Sequence, residues 1–280
     1  MVDPLGAMQA WGRFSISVIS IGSAFENPKA TNDYKSSAYN KFLANRQKVA
    51  WMFANNRSSQ APTYNPNLGT DGYPDGYGEY NQQVLINSFL SAYAGKSISS
   101  KMFNDFISFP MPNWDIAYTG LSRIEALKPV LRSATLRHSY TSRYSINSFT
   151  LNSTFGETEQ DGLSTVRNAL NDFVPYRDIA NVAISESLTP LIQLDLGFQN
   201  NLLLEFATNR RRQIALSLSN NQITEGRTKE YVIGAGYLFD KVPILFNFDR
   251  RRGSTNTSSL TLRLDFQYTE DLTIIRRLDQ

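Results

Sequence analysis

A strict alternation of apolar and polar residues near the end of the chain constrains its fold more than any other feature. In Ser258–Tyr268 the apolar positions are Leu260, Leu262, Leu264, Phe266 and Tyr268, and polar residues separate them. The side chains of a β-strand point alternately to opposite faces of its sheet, whereas a helix repeats every 3.6 residues. The segment is therefore predicted to be a strand with one apolar and one polar face.

Similar segments precede this one and form a series. The predicted strands are Pro190–Phe198, Leu202–Thr208, Gln213–Ser219, Tyr231–Phe239, Val242–Asp249 and Ser258–Tyr268. A β-sandwich would pack the apolar faces against a second sheet, whereas a membrane β-barrel would turn them towards lipid and line its lumen with the polar faces. A membrane strand needs about 9–11 residues and a soluble strand averages about 5–6, so Ser258–Tyr268 has membrane length. The alternation alone leaves both folds open.

The connections between these strands predict an orientation for a barrel. Alternate connections lie at the same end of a sheet of antiparallel strands. One end would carry Gln199–Asn201, Asn220–Glu230 and Arg250–Thr257, and the other Asn209–Arg212, Asp240–Lys241 and Thr269–Asp271. Outer-membrane barrels have short periplasmic turns and longer external loops. Because two of the three connections in the first set are long, we expect that end to be external.

The residues before the series suggest a different organisation. Apolar spacing predicts helices at Tyr34–Phe53 and Tyr80–Tyr93, and Trp11–Ser23 can be extended. Trp114–Thr119 is predicted to be a strand, and Ser133–Ser153 a hairpin or one long strand pair. We therefore divide the chain into a helical and loop region with a possible N-terminal strand (1–109) and a region of antiparallel barrel strands (110–280).

Composition limits the classes of function. The net charge of +3 is too weak to predict nucleic-acid binding, and the absence of cysteine removes disulfides and thiolate chemistry. No run of about 18 apolar residues predicts a membrane-spanning helix. The chain opens without a recognisable signal peptide. It is therefore expected to be either a cytoplasmic protein or an internal piece of a longer secreted protein.

Two runs of three arginines are the sharpest charged features. Arg210–Arg212 and Arg250–Arg252 could bind phosphate, and the second run, on the expected external side, could meet lipid phosphates. The interpretation that we favour is a solvated turn that blocks pairing at a sheet edge. The alternating connections place the two runs on opposite sides, which argues against one shared site.

No constellation predicts catalysis, a metal site or a cofactor. His138 is the only histidine and is best explained as a packed or solvated strand residue. Asp71, Asp75 and Glu79 alternate with glycines, but their spacing does not fit a calcium-binding loop. Asp178 with Glu186 could be offered as a carboxylate pair, yet nothing in the sequence orients the two groups. The chain is not expected to be an enzyme.

Several segments resemble the SprA family, called Sov in Porphyromonas. The segments that carry the resemblance, in order, are Asp75–Ile86 (DGYGEYNQQVLI), Phe89–Lys96, Pro110–Leu121 (PMPNWDIAYTGL) and Ala134–Phe149 with its LRHSY motif. Shorter matches at 184–192, 230–239 and 273–279 extend the resemblance from about residue 40 to the last residues. The resemblance implies a very large outer-membrane β-barrel of Bacteroidetes, the translocon of type IX secretion, which also serves gliding motility.

The resemblance also implies a place for this chain and its partners. The chain would be a slice near the C-terminal end of a much longer protein, whose lumen passes folded secreted cargo proteins. Other outer-membrane subunits of the secretion system and membrane lipid would be its partners, and nucleic acid would not. The two predicted helices would be inserts that cap, plug or flank the barrel.

The alternation supplies candidate site residues for this function. Asp195, Glu205, Arg263 and Asp265 occupy the polar faces of their strands and are expected to face the lumen. Arg250, Arg251 and Arg252 are the candidates for interfacial contact with phosphate. The alternative function is a surface-exposed, β-rich adhesion module without transport activity, which would be soluble in water. A carbohydrate-active enzyme on a β scaffold would need paired carboxylates in a cleft, and the sequence does not suggest them.

Overall fold

The computed structural model describes residues 11–61, 63–98, 106–152, 155, 164–243 and 257–279. This part of the chain forms antiparallel strands and two α-helices, with 48% of residues in strands. The strands are β1 (Trp11–Ser17), β2 (Trp114–Tyr118), β3 (Leu131–Leu151), β4 (Arg177–Ile179), β5 (Asn181–Phe198), β6 (Leu202–Ser217), β7 (Gln222–Pro243) and β8 (Thr257–Arg277). The helices are α1 (Ser37–Gln60) and α2 (Gln82–Tyr93). The prediction of a mainly β, antiparallel fold is confirmed.

The described strands belong to one sheet in the order β1-β3-β5-β6-β7-β8. Along one edge of β3, β1 pairs with Arg143–Thr150 and β2 pairs with Leu136–Tyr140. On the other edge, β4 and β5 follow each other along β3. Within the described residues β1 and β8 do not meet, so the sheet is open and is not closed as a barrel.

The strands are longer than the sequence predicted, and four of the predicted connections lie wholly or largely within strands. β6 runs through Asn209–Arg212, β7 through most of Asn220–Glu230, and β8 through Thr269–Asp271. The physical reason is their register, because Arg211 of β6 lies opposite Thr228 of β7, which lies opposite Asp271 of β8. The polar residues satisfy one another across the strands, so the ladder continues where each segment alone resembled a loop.

The predicted grouping of the connections at the two ends of the sheet is therefore wrong as well, whereas the assignment of one end to the external side stays a prediction. The turn between β5 and β6 lies at Gln199–Asn201 and the next turn lies at 218–221, and these turns stand at opposite ends of the sheet. Asp240–Lys241 is not a turn but an irregularity of register between Phe239 and Val242. Most of Arg250–Thr257 lies outside the described residues.

The earlier part of the chain follows its predictions more closely. Both helices are confirmed, with α1 extending to Gln60, and β2 occupies its predicted segment. β1 occupies only the first part of Trp11–Ser23, because Ile21–Ser23 forms a 3-10 turn. Ser133–Ser153 is not a hairpin, because its described residues belong to the single strand β3, whose backbone pairs on both edges. Strand residues lie on both sides of residue 109, and the division at that position stays a prediction.

The two helices pack on one face of the sheet and form the main core. Phe42 of α1 and Leu85 and Phe89 of α2 are completely buried against strand residues. The strand residues of this core are Tyr144, Ile146, Ile184, Ile214, Leu216 and Ile223. A second, smaller cluster joins Val49 and Phe53 of α1 to Tyr77 and Phe173. The helices cover only the part of the sheet nearest the turn at 218–221.

Candidate functional site: a sheet with one apolar and one polar face

The covered and uncovered parts of the sheet share one apolar face. In β6, Ile214 lies eight positions after Phe206, and the pairing of β6 with β7 has no irregularity over this stretch. Side chains at even separation along a strand lie on the same face. Ile214 is buried under the helices, whereas Phe206 is 42% exposed. The apolar face is therefore covered by α1 and α2 in one half and open in the other.

The open half carries continuous apolar rows across the strands. One row consists of Tyr118, Leu136, Leu194, Phe206, Ile233 and Phe266. The next row contains Leu196, Leu204, Ala235 and Leu264. We call the exposed apolar residues of this face the apolar band: Ile116, Tyr118, Ile192, Leu204, Phe206, Tyr231, Ile233, Tyr237, Phe239, Leu260, Leu262, Leu264, Phe266 and Tyr268. Exposed apolar surface this contiguous marks contact with lipid or with another protein.

The opposite face of the open half brings the four predicted lumen residues together. Asp195, Glu205 and Asp265 lie in one row, and Arg263 lies in the adjacent row. Arg263 Nε donates to Asp265 Oδ1 at 2.8 Å, and Arg263 Nη2 pairs with Glu205. Gln193 Nε2 donates to Asp195 Oδ1 at 3.0 Å and to Glu205 Oε1 at 3.4 Å. Asp195, Glu205 and Arg263 line a shallow cavity of about 200 Å³.

A glycine makes room for this charged cluster. Gly234 stands in the row between Glu205 and Asp265. A Cβ atom at Gly234 would lie 2.4 Å from Asp265 Oδ1, which is closer than real Cβ contacts. The absent side chain therefore lets the carboxylate lie flat on the sheet beside Arg263.

The polar face continues into the covered half as an open hollow. Its volume is about 920 Å³, and residues of β3, β5, β6, β7 and β8 line it. Serine, threonine and arginine are frequent among its lining residues, so its wall is hydrophilic. The helices lie on the other side of the sheet and do not fill this hollow.

A buried charge network lies beneath the helices, on the same face as the apolar band. Glu225 is completely buried and lies 2.6 Å from Arg227, 2.9 Å from Arg276 and 3.9 Å from Arg212. Arg212 also pairs with Glu186 at 3.0 Å. Glu186 accepts hydrogen bonds from Ser20 Oγ at 2.8 Å and from Tyr140 Oη at 2.9 Å.

The sequence interpretation of Arg210–Arg212 as a solvated turn is therefore wrong for Arg212. Only 6% of Arg212 is exposed, because it extends the helix-facing positions of β6 that include Ile214 and Leu216. Arg212 and Glu225 occupy the alternate positions that carry apolar residues in the rest of their strands. This alternation is the signal in the sequence that could have located the buried Arg212. A charge in phase with buried residues is expected to be paired.

The remaining candidate residues lie elsewhere in the chain. Arg250, Arg251 and Arg252 lie outside the described residues. His138 lies in β3, with Nδ1 2.6 Å from the Leu191 carbonyl oxygen. Among the described residues, no group of three or more histidine, aspartate and glutamate side chains could hold a metal ion. No helix in the described part is both long and apolar enough to cross a membrane.

Comparison with known proteins does not assign a family. No protein-family model matches the sequence, and no curated protein matches it either.

Proposed function

We propose that this chain is part of an outer-membrane, protein-conducting translocon of the SprA family, serving type IX protein secretion and gliding motility. The observation that carries the proposal is the opposition of the apolar band and the charged cluster on the two faces of the same strands. A transmembrane barrel needs this combination, because its outer surface meets lipid and its inner surface meets water.

The dimensions of the apolar band support this assignment. From Leu260 to Tyr268 the band extends over eight residue steps of β8. At about 3.3 Å per residue this is roughly 26 Å along the strand, and its nine residues match the about 9–11 that a tilted strand needs to cross a bilayer. Tyr231 and Tyr268 stack near one end of the band, with ring centroids 6.4 Å apart, and Tyr237 and Phe239 lie near the other. Aromatic girdles occupy such positions at both membrane surfaces.

The positions of the helices favour one of the three expected roles. Helices α1 and α2 pack on the face that carries the apolar band, beyond its end, rather than on the polar face. In the proposed barrel they would flank the outside of the wall, next to the membrane, and would leave the lumen side free. The cargo would then pass along a wall of mixed charge, on which Arg263 pairs with both Glu205 and Asp265.

The same proposal names the partners. These are secreted cargo proteins on the polar face, lipid on the apolar band, and other outer-membrane subunits of the secretion system. We assign no catalytic step, cofactor or nucleic acid to the chain.

A second candidate is a surface-exposed β-rich adhesion module without transport activity. The observation that favours it is the covered half, in which two helices, four long strands and two hydrophobic clusters form a layered core. In that case a partner protein, rather than lipid, would cover the apolar band.

Site-directed labelling in native membranes tests the proposal. The 280 residues contain no cysteine, so Leu264→Cys and Gln267→Cys can each be introduced into a cysteine-free background of the full-length gene product. Both side chains are exposed on β8, but they lie on opposite faces. We expect a polarity-sensitive probe to report lipid at position 264 and water at position 267.

The outcome also distinguishes the two functions. A water-soluble product, or a probe that reports water at both positions, would reject the translocon and favour the adhesion module. Lipid at position 267 would reverse the faces and reject the assignment of Asp195, Glu205, Arg263 and Asp265 to the lumen.

A further inference from the structure

A small polar cavity lies at the border between the apolar band and the helix-covered half. Its volume is about 120 Å³, several times the roughly 30 Å³ share of one liquid water molecule. The segment 24–27 forms one wall, and strands β5, β6 and β7 form the other. Arg210 and Lys229 are paired across β6 and β7 in the cavity, next to the row of Thr208, Tyr231 and Tyr268. The cavity therefore opens beside the aromatic end of the apolar band.

The cations of this cavity are held in place by surrounding groups. The Arg210 guanidinium lies over the Phe25 ring, 5.2 Å from its centroid. Lys229 Nζ lies 3.4 Å from Asn27 Oδ1 and 3.7 Å from Glu270. Behind them, Arg212 and Arg227 are 6% and 9% exposed. The four cations belong to two adjacent rows and converge on one space.

The carboxylates at the cavity are already engaged. Glu186 accepts hydrogen bonds from Ser20 and Tyr140 and pairs with Arg212. Glu26 accepts hydrogen bonds from Ser36 Oγ at 2.6 Å and from the Ala38 N–H at 3.0 Å, at the start of α1. Glu225, behind the cavity, lies between three arginines.

Two of the arginines keep unused capacity for an anion. Among the described residues, no carboxylate lies within ion-pair distance of Arg210. Arg212 donates through Nη1 to the Ser23 carbonyl at 2.6 Å and through Nη2 to Ser23 Oγ at 3.0 Å, and its buried Nε is the nitrogen without a hydrogen-bond partner. A buried N–H without a partner is costly, and guanidinium groups match the oxygen geometry of phosphate. The site is thus built for an anion with several oxygen acceptors.

We propose that this cavity binds a phosphate group, held by Arg210 and Lys229 at the rim and by Arg212 at the base. In a membrane the source would be the headgroup of an anionic lipid, since the cavity stands one row from the tyrosines that end the apolar band. The identity of that source rests on the proposed function, whereas the phosphate site itself does not.

Binding measurements on the full-length protein in non-ionic detergent test this proposal. The protein is titrated with inorganic phosphate and, separately, with micelles containing phosphatidylglycerol or phosphatidylcholine, and Kd and the shift in Tm are measured. We expect phosphatidylglycerol to bind and raise Tm, because a ligand of the native state stabilises it. The double variant Arg210→Gln/Lys229→Gln is expected to weaken this binding by about tenfold or more.

Arg137→Gln is the control for loss of charge elsewhere, because it removes one positive charge from the exposed polar face of β3. It should bind as the wild type does. Binding of phosphatidylglycerol but not inorganic phosphate would identify the lipid as the source, and binding of inorganic phosphate as well would show that the phosphate group suffices. No binding of either to the wild type, or equal binding by the double variant, would overturn the site.

The two proposals can fail independently. If position 264 reports water but inorganic phosphate still binds in a manner that depends on Arg210 and Lys229, the translocon is rejected and the phosphate site stands. If position 264 reports lipid but neither inorganic phosphate nor phosphatidylglycerol binds, the phosphate site is rejected and the translocon stands.

Discussion

At the residue scale, Glu225 has the most demanding environment in the described part of the chain. It is completely buried, and Arg212, Arg227 and Arg276 surround its carboxylate. Removing one partner of a buried ion pair leaves the other charges without compensation and without water. The Glu225 side chain therefore holds three arginines together beneath the helices, behind the cavity that we propose binds phosphate.

Glu225→Gln is expected to lower the free energy of unfolding by about 3–5 kcal/mol. The control is Glu270→Gln, because Glu270 is half-exposed and its pair with Lys229 is 3.7 Å long. Its loss should cost about 1 kcal/mol or less, as for other exposed pairs. Urea unfolding of both variants of the detergent-solubilised protein measures the difference. Equal costs for the two variants would contradict the importance of the buried network.

At the element scale, α1 begins at a cap made by two parts of the chain. Ser36 Oγ accepts from the Tyr39 N–H at 3.1 Å, and Glu26 accepts from Ser36, Ser37 and the Ala38 N–H. A carboxylate at a helix N-terminus satisfies free N–H groups and complements the helix dipole. Glu26 thus ties the segment that walls the phosphate cavity to the helix that covers the sheet.

This cap predicts a dependence of stability on pH. Burial raises the pKa of Glu26, but hydrogen bonds from Ser36, Ser37 and the Ala38 N–H and the charge of Arg227 outweigh it, so the pKa lies below its ordinary value. A carboxyl group whose pKa is lowered by folding contributes stability above its unfolded pKa and loses it as the pH falls through its folded pKa. The contribution should be fully present well above about pH 4.5 and should be lost progressively as the pH falls below it.

Glu26→Gln should therefore cost about 0.5–2 kcal/mol at pH 7, in the range of other capping residues, and should reduce the loss of stability below pH 4.5. Unfolding free energies measured between pH 3 and pH 7 check this result. A variant whose pH profile parallels that of the wild type would show that Glu26 does not titrate with folding.

At the scale of the whole molecule, the uncovered half of the apolar face is the feature that most needs explanation. The sheet buries its apolar face under α1 and α2 near one end and exposes it near the other. Its outer strand β8 exposes five large apolar residues on this face, with values from 55% to 74%. In water such a surface favours association, whereas in a bilayer it is the surface that lipid requires.

Leu264→Arg tests which solvent the apolar band meets. Leu264 lies in the middle of the band, and in a bilayer an arginine there should cost about 2–4 kcal/mol. The same change at Gln267, on the opposite face of β8, should cost about 1 kcal/mol or less. Folding of the full-length protein into lipid vesicles, measured against urea, provides both values. Similar, small costs at the two positions would contradict contact with lipid.

Particular residues show how far the sequence predicted this structure. Alternation in Ser258–Tyr268 correctly separated the exposed apolar positions from Arg263 and Asp265, and residue spacing located both helices. The prediction from sequence failed at Arg212, Thr228 and Asp271. The polar segments that contain them resembled turns, but they continue three neighbouring strands. The local sequence does not show which residues of other strands pair with a polar residue. In these strands cross-strand pairing outweighs the preference for a turn.

The sequence by itself determined the two faces of each strand, because side-chain direction follows from a period of two within a single segment. Only the tertiary structure decided the length of the strands, the burial of Arg212 and Glu225, and which half of the apolar face the helices cover. These properties depend on register between strands distant in the chain. Register is set by the summed energies of packing and charge pairing, which no single segment contains.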